Sequence, residues 1–423
     1  MHTRLAVITA ALIFTDHTFG QHNASYPTEW NRDSAIAFAL EHNAELNAAR
    51  LSVDLAEARL ARTGIRPNPS LDVDYSDDFA FNNEGEYTLG IGFSQRFPLA
   101  NRLKRAKEVS RVDIAKAKTE IRKQEFSIAH DIAEIVLEIQ ITDTRIESLR
   151  RLQSKAKEIA SFIKSRIPHG DYSIIEANQA VLEARTLAQK INQLSDERNH
   201  LTHSLAPLLG LPDEHEIDFV KMSQIDFRVD LPPFDNSVFE RHPELQMAIL
   251  DAHSAEAEIA LAQAENWEDV TARIFWKNER SVDDPRGLGT DRSVGVGFSI
   301  PLPLRKEGSL RAQEMRIARD QSNQQAAAIR LEVLHEIEHA RHEAEDLIKS
   351  IRAYRAEVIE LAEEQVEEIA KAHQNGQISF LELVNAQHQL MEIEHEYLDT
   401  LESYARARLK LETALLITPG LNR

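Results

Sequence analysis

Four stretches of the chain alternate apolar and polar residues at every second position. Leu71, Val73 and Tyr75 alternate with Asp72, Asp74 and Ser76, and Tyr87, Leu89, Ile91 and Phe93 alternate with Thr88, Gly90, Gly92 and Ser94. Val270, Ala272, Ile274 and Trp276, then Val294, Val296, Phe298 and Ile300, follow the same rule. A period of two puts the apolar side chains on one face of a strand, so the pattern predicts two β-hairpins, apolar on one side and small or polar on the other. The small residues Gly90, Gly92, Gly295 and Gly297 suit a surface that lines a passage or a tightly packed wall. A soluble hairpin packed on helices is the alternative.

Elsewhere the period lengthens. Ile36, Leu40, Leu46, Leu51, Leu55 and Leu60 predict helix from about Ser34 to Thr63, stopped by Arg66-Pro-Asn-Pro69. After the first hairpin, Ile128, Ile132, Ile135, Ile139, Thr142, Ile146 and Leu149 step by fours and threes. After the second, Ile337, Ala340, Ala344, Leu347, Ile351, Tyr354, Val358 and Leu361 do the same. That is the seam of a coiled coil. The first of these helices, from near Leu103 to near Ile167, would be roughly 100 Å long at about 1.5 Å per residue. His169-Gly170 and Asn375-Gly376 turn the chain back into Ile174–Leu205 and Phe380–Leu415, and Pro207 to Pro233 reads as irregular.

The two sets of elements are one unit written twice. Leu46 and Leu245 sit in matching segments 199 residues apart, Gly90 and Gly295 are 205 apart, and Gly170 and Gly376 are 206 apart. A repeat near 200 residues is far beyond solenoid periods of roughly 20–50. It is a duplicated half-molecule, suited to a body wrapped around an axis and so to a channel more than to a cleft enzyme. The growth of the offset from 199 to 205 predicts an insertion in the loop between Glu279 and Asp291.

Composition narrows the function. A net charge of −20 argues against nucleic acid as a partner. The absence of cysteine excludes disulfides, cysteine zinc sites, thiol catalysis and a lipid anchor on cysteine. Arg4, the apolar stretch Leu5 to Phe14 and Thr18-Phe-Gly20 read as a signal peptide over residues 1–20, with a buried N-terminal segment as the alternative. No other apolar run approaches the ~20 residues of a spanning helix, so any membrane must be crossed by strands. Four strands cannot close a barrel, and lipid does not tolerate open edges, so a spanning sheet requires several chains. Eight strands would be filled by their own side chains, whereas twelve, from three chains, leave a lumen.

The duplicated order of helix, strand hairpin, long helix, glycine-containing tip and return helix resembles the TolC-like outer-membrane efflux proteins. So do Gly92-Phe-Ser-Gln-Arg-Phe-Pro-Leu99 and Gly297-Phe-Ser-Ile-Pro-Leu-Pro-Leu304, and tips with an acidic residue six positions past the glycine. Arg66-Pro-Asn-Pro-Ser-Leu71 is similar to a segment of the heavy-metal efflux branch. The resemblance covers nearly the whole chain after the signal segment. It implies a mainly α fold with β: duplicated coiled-coil hairpins plus two β-hairpins, forming a trimeric twelve-stranded β-barrel continued by an α-helical tunnel. The units would be a first repeat over 21–212, a linker over 213–236 and a second repeat over 237–423. The implied function is a passive duct, not an enzyme, in the outer membrane and extending into the periplasm. It would be a homotrimer in outer-membrane lipid, working with a periplasmic adaptor and an inner-membrane RND-type pump, with heavy-metal cations as one candidate cargo.

The resemblance also places sites. Gly170, Asp171, Gly376 and Gln377 fall at adaptor-docking tips, and Glu176, Gln179, Glu382 and Asn385 at the periplasmic gate. Asn385 stands where well-known members carry an acid, and Ile378 where they carry a basic gate residue, so closure needs a different compensation, such as bound cations. Solvated helix positions are the plain alternative for Glu176 and Glu382.

Other candidate chemistry is set aside. His335-Glu-Ile-Glu-His339 spells a zincin motif, but Ile337 is a seam residue, so both histidines project onto a solvated surface with no cleft. His169 and His373 precede the tips and read as scattered surface histidines. The five methionines are dispersed, which gives no soft Cu(I) relay. No cofactor or resident metal site is expected. The competing reading is a periplasmic coiled-coil scaffold or adaptor without a pore.

Overall fold

The computed structural model describes residues 30–80, 85–169, 172–211, 230–283, 286–302 and 307–417. The signal segment, tip residues Gly170 and Asp171, and most of the linker lie outside these. Each half holds a short helical pair, a β-hairpin, a long helix and a return helix. The first half runs α1 (Arg32–His42), α2 (Ala44–Arg62), β1 (Ser70–Asp77), β2 (Tyr87–Phe97), α3 (Arg102–Arg166) and α4 (Ile174–Leu209). The second runs α5 (Ser237–Arg241), α6 (Pro243–Glu265), β3 (Val270–Asp283), β4 (Gly287–Ser299), α7 (Glu307–Ala353), a π-helical turn (Tyr354–Ile359), α8 (Glu360–Gln374) and α9 (Phe380–Ala414).

The helix expected from Ser34 to Thr63 is broken at Asn43. This residue leaves helical geometry, accepts from Leu46 N at 2.8 Å to cap α2, and donates from Nδ2 to Leu208 O at 2.9 Å. The end of α4 thus packs into the joint between α1 and α2. Helix α4 continues through Pro207 to Leu209, beyond the irregular start expected at Pro207. Gly210 ends it with φ +70°, and a Cβ there would come within 2.5 Å of His42 O. Ile36, Ala39, Ile132, Val136, Ile139, Leu205 and Leu209 form the buried core of this end. Val238, Phe239, Leu245, Val333, Ile337 and Leu411 form its counterpart in the second half.

The four strands make one antiparallel sheet in the order β1-β2-β3-β4. The β2–β3 ladder, with Ile91 opposite Trp276, joins the repeats. The expected loop between Glu279 and Asp291 is instead paired strand. Those two residues face each other, and the ladder continues to Asp283 opposite Gly287. The residues on either side of the turn pair across it, so the insertion lengthens the hairpin rather than its loop.

The seam holds where the helices pair, with Ile132, Ile139, Thr142 and Ile146 buried on α3 and Ile337, Ala340, Ala344 and Ile351 on α7. It does not continue to Val358 and Leu361. Leu361 is 64% exposed, and Ala362 is buried in its place. The cause is the π-helical turn at Tyr354–Ile359, because a π turn holds one residue more than an α turn. Ile146 matches Ile351 at an offset of 205, whereas Ala156 and Ala362, each 8% exposed, match at 206. The extra residue of the second half sits in that turn, and the seam beyond it stays aligned.

Candidate functional site

Two regions carry the expected chemistry: the far ends of the coiled coils and the faces of the sheet. Both return helices open on a capping box. Ser173 Oγ accepts from Glu176 N at 3.3 Å, while Glu176 Oε2 accepts from Ser173 N at 2.8 Å and from Ser173 Oγ at 2.9 Å. Ser379 and Glu382 repeat this, with Ser379 N donating to Glu382 Oε2 at 2.8 Å. The reciprocal bonds satisfy donors that a helix N-terminus leaves free. The two carboxylates expected at the gate therefore also serve their own helices. The signal was present in the sequence as Ser173-Ile-Ile-Glu176 and Ser379-Phe-Leu-Glu382. Gln179 and Asn385 lie one turn further on and are exposed, beside Glu176 and Glu382 respectively, with Ala177, Ala180, Leu383 and Ala386 buried opposite.

Gly376 has φ +72°, and Gln377 N donates to Ala372 O at 3.0 Å, which closes the end of α8. Sequence reasoning missed the contact that joins the two tips. His373 is buried, at 8% exposure, and is not a surface histidine. Its Nδ1 bonds Ile378 O at 3.2 Å, and its Nε2 bonds Tyr172 Oη at 2.9 Å. A carbonyl can only accept, so Nδ1 carries the proton and Nε2 of the neutral ring accepts from the tyrosine. Phe162 and Phe380 flank the pair. On α7, His335 and His339 are exposed on the side opposite buried Ile337, as the heptad places them.

The sheet separates its faces row by row. One face carries Leu71, Phe93, Ile274 and Val296 in one row and Val73, Ile91, Trp276 and Val294 in the next. Most of these are exposed, with Leu71 at 70% and Val294 at 76%. In the following row the band continues on β1 and β2 as Tyr75 and Leu89 and gives way on β3 and β4 to Asn278 and Arg292. The other face carries Asp72, Asp74, Arg273, Lys277 and the four glycines. An apolar outside and a polar inside, alternating residue by residue, is the pattern of a membrane barrel wall. No described helix is long and apolar enough to cross a membrane.

The comparisons with known proteins agree with this geometry. The chain is similar over its length to solved outer-membrane channels. For CusC the TM-score is 0.72 at 18% identity, with 92% of each chain covered. For VceC of Vibrio cholerae it is 0.70 at 16% identity, covering 91% of this chain and 95% of that one. For the open state of MtrE of Neisseria gonorrhoeae it is 0.69 at 15% identity, covering 91% and 88%. These likenesses establish the fold, a helical body continued by a barrel sheet. No curated protein matches the sequence. The family model described as outer membrane efflux protein matches residues 35–211 and 236–415, one span in each repeat. Proteins of that kind are channels rather than enzymes. The duplicated hairpins, the two-faced sheet and this match over most of the chain place the protein in the outer membrane efflux protein family.

Proposed function

We propose that the chain is the outer-membrane duct of a tripartite efflux system, assembled as a homotrimer around a twelve-stranded barrel. The observation that carries this reading is the four-stranded sheet with β1 and β4 at its edges and one apolar face. Lipid demands that those edges be paired, and three copies close them around a lumen. A periplasmic scaffold without a pore leaves the apolar face without a role. The helical body would then cross the periplasm. Its tips, Gly170, Asp171, Gly376 and Gln377, would dock a periplasmic adaptor linked to an inner-membrane RND-type pump. Glu176, Gln179, Glu382 and Asn385 would line the closed entrance, and residues 1–20 would direct export. Heavy-metal cations are the proposed cargo, supported by the Arg66-Pro-Asn-Pro-Ser-Leu71 segment.

Native mass measurement in detergent and conductance in planar bilayers test the assembly. A trimer that forms discrete channels is expected, and a stable membrane-embedded monomer overturns it. Metal tolerance of cells with and without the gene tests the cargo separately.

A further inference from the structure

Arg273 lies flat against the polar face of the sheet. It starts on β3, crosses Gly92 of β2 and reaches β1, where Nη2 donates to Asp74 Oδ2 at 2.9 Å and Nε stands 3.9 Å from Asp72 Oδ2. A Cβ at position 92 would come within 2.7 Å of Nε, so only glycine leaves room for this path. Ser94 Oγ, opposite Arg273 in the ladder, donates to the same Asp72 Oδ2 at 3.0 Å. Phe275, the next residue on this face of β3, leans the opposite way over Gly295, where a Cβ would meet its ring at 2.5 Å. The guanidinium carbon is 5.5 Å from the centre of that ring. The glycines thus recess one charged and one aromatic side chain into the wall.

We propose that Arg273 sets the ion preference of the barrel interior. The inference rests on the trimeric-duct reading and narrows its cargo to cations. Two carboxylates face one guanidinium, and Lys277, in the row of Asp74, is paired with Glu279 at 2.6 Å, so each chain leaves one negative charge at this level, and a three-chain ring gathers three. Charges on the wall of a narrow passage, bounded by a low-dielectric sheet, select the ions that enter. Recessing Arg273 keeps the passage wide while its charge offsets half of the carboxylates. The glycine at 92 is therefore a calibre residue, and the arginine it seats is a selectivity residue.

Reversal potentials in planar bilayers under a KCl gradient test this. Salt near 0.1 M keeps the screening length at about 10 Å. Wild-type channels should prefer K⁺ over Cl⁻. Arg273→Gln should raise the permeability ratio by about two-fold or more, and D72N/D74N should lower it by a similar factor. Gly92→Ala should displace the guanidinium inward and lower conductance, with the ratio changed less than in Arg273→Gln. If Arg273→Gln fails to assemble, the two Asp→Asn changes and Gly92→Ala still report. Conducting channels whose ratio is unchanged in both charge variants overturn the selectivity role alone. Failure of the wild type to form channels overturns the duct itself.

Discussion

Tyr172 and His373 stand 201 residues apart in sequence and share a hydrogen bond of 2.9 Å at the far end of the molecule. It ties the turn of the first coiled coil to the turn of the second. The matching position in the first repeat is Ile167, at the offset of 206 that applies beyond the π turn, so the polar tie belongs to the second copy alone. Tyr172→Phe removes the hydroxyl and leaves a buried imidazole nitrogen without its donor, which costs about 1–3 kcal/mol. Hydrogen exchange of amides at 373–380 should quicken by roughly ten-fold or more, with the barrel end unchanged. Unaltered exchange at the tip rules out a structural role for the bond.

A second prediction separates the capping role of the tip carboxylates from their proposed role at the gate. Replacing Ser173 and Ser379 by Ala removes both caps and should lower stability by about 1 kcal/mol each, while channels keep their response to divalent cations. Glu176→Gln with Glu382→Gln retains an acceptor for each cap, so stability should shift by under ~0.5 kcal/mol. It removes the charge, and should abolish most of the cation response. Divalent titration of single-channel conductance reads the difference. A double Gln variant that responds like the wild type assigns both residues to capping only.

The fold was legible where one periodicity ran unbroken. The strands, their faces and the α3 seam followed from spacing, because each gathers its apolar side chains on one face. Two of the misreadings share one cause: an insertion changes the geometry without showing which element absorbs it. The residues between Glu279 and Asp291 look like a loop by length and composition, yet Arg280–Asp283 pair with Gly287–Thr290 and extend the ladder. The seam after Ile351 reads as a clean heptad through Leu361, yet one added residue turns that leucine outward. The offsets of 205 and 206 already contained this residue, but an offset does not say which turn absorbs it. The Tyr172–His373 bond and the path of Arg273 depend on side-chain reach across elements, which periodicity does not encode.

The π turn makes a third prediction. Deleting Ala356 should convert Tyr354–Ile359 to ordinary helix and join α7 to α8 with Ala362 still in the seam. Such a variant should fold and assemble, with stability equal to the wild type or higher, by thermal unfolding. Deleting a residue outside the turn, such as Glu367, leaves the π turn in place and rotates the tip by about 100° relative to the seam, and should disrupt it.

The start of α6 supplies a pH dependence. His242 occupies the position of Asn43 in the first repeat, with nearly the same backbone, φ −64° and ψ 119° against φ −58° and ψ 122°. Asn43 caps its helix, whereas His242 makes no side-chain cap and its Nδ1 has no partner among the described residues. Burial pushes the His242 pKa down, with the Lys123 ammonium acting the same way and Glu244 opposing it. The folded chain therefore resists a proton that the unfolded chain accepts below about pH 6.5. This contribution is present above that pH and is lost as the pH falls through the depressed value. His242→Asn should stabilise the fold by ~1 kcal/mol near neutrality through the new cap, and more at pH 5. Urea unfolding at the two pH values checks it, and an equal effect at both removes the titration from the account.

The β2–β3 ladder has a kinetic consequence. It pairs the two repeats inside one chain, with Phe93 opposite Ile274 and Ile91 opposite Trp276. For the proposed trimer, a ring of unfused repeats would need six molecules to meet, whereas fused chains would need three. Each association avoided removes a loss of translational and rotational freedom of about 4–15 kcal/mol. Joining the copies also lowers the order with which ring closure depends on protein concentration. Cutting the chain in the segment between α4 and α5 would restore the steeper dependence while leaving every strand pair available.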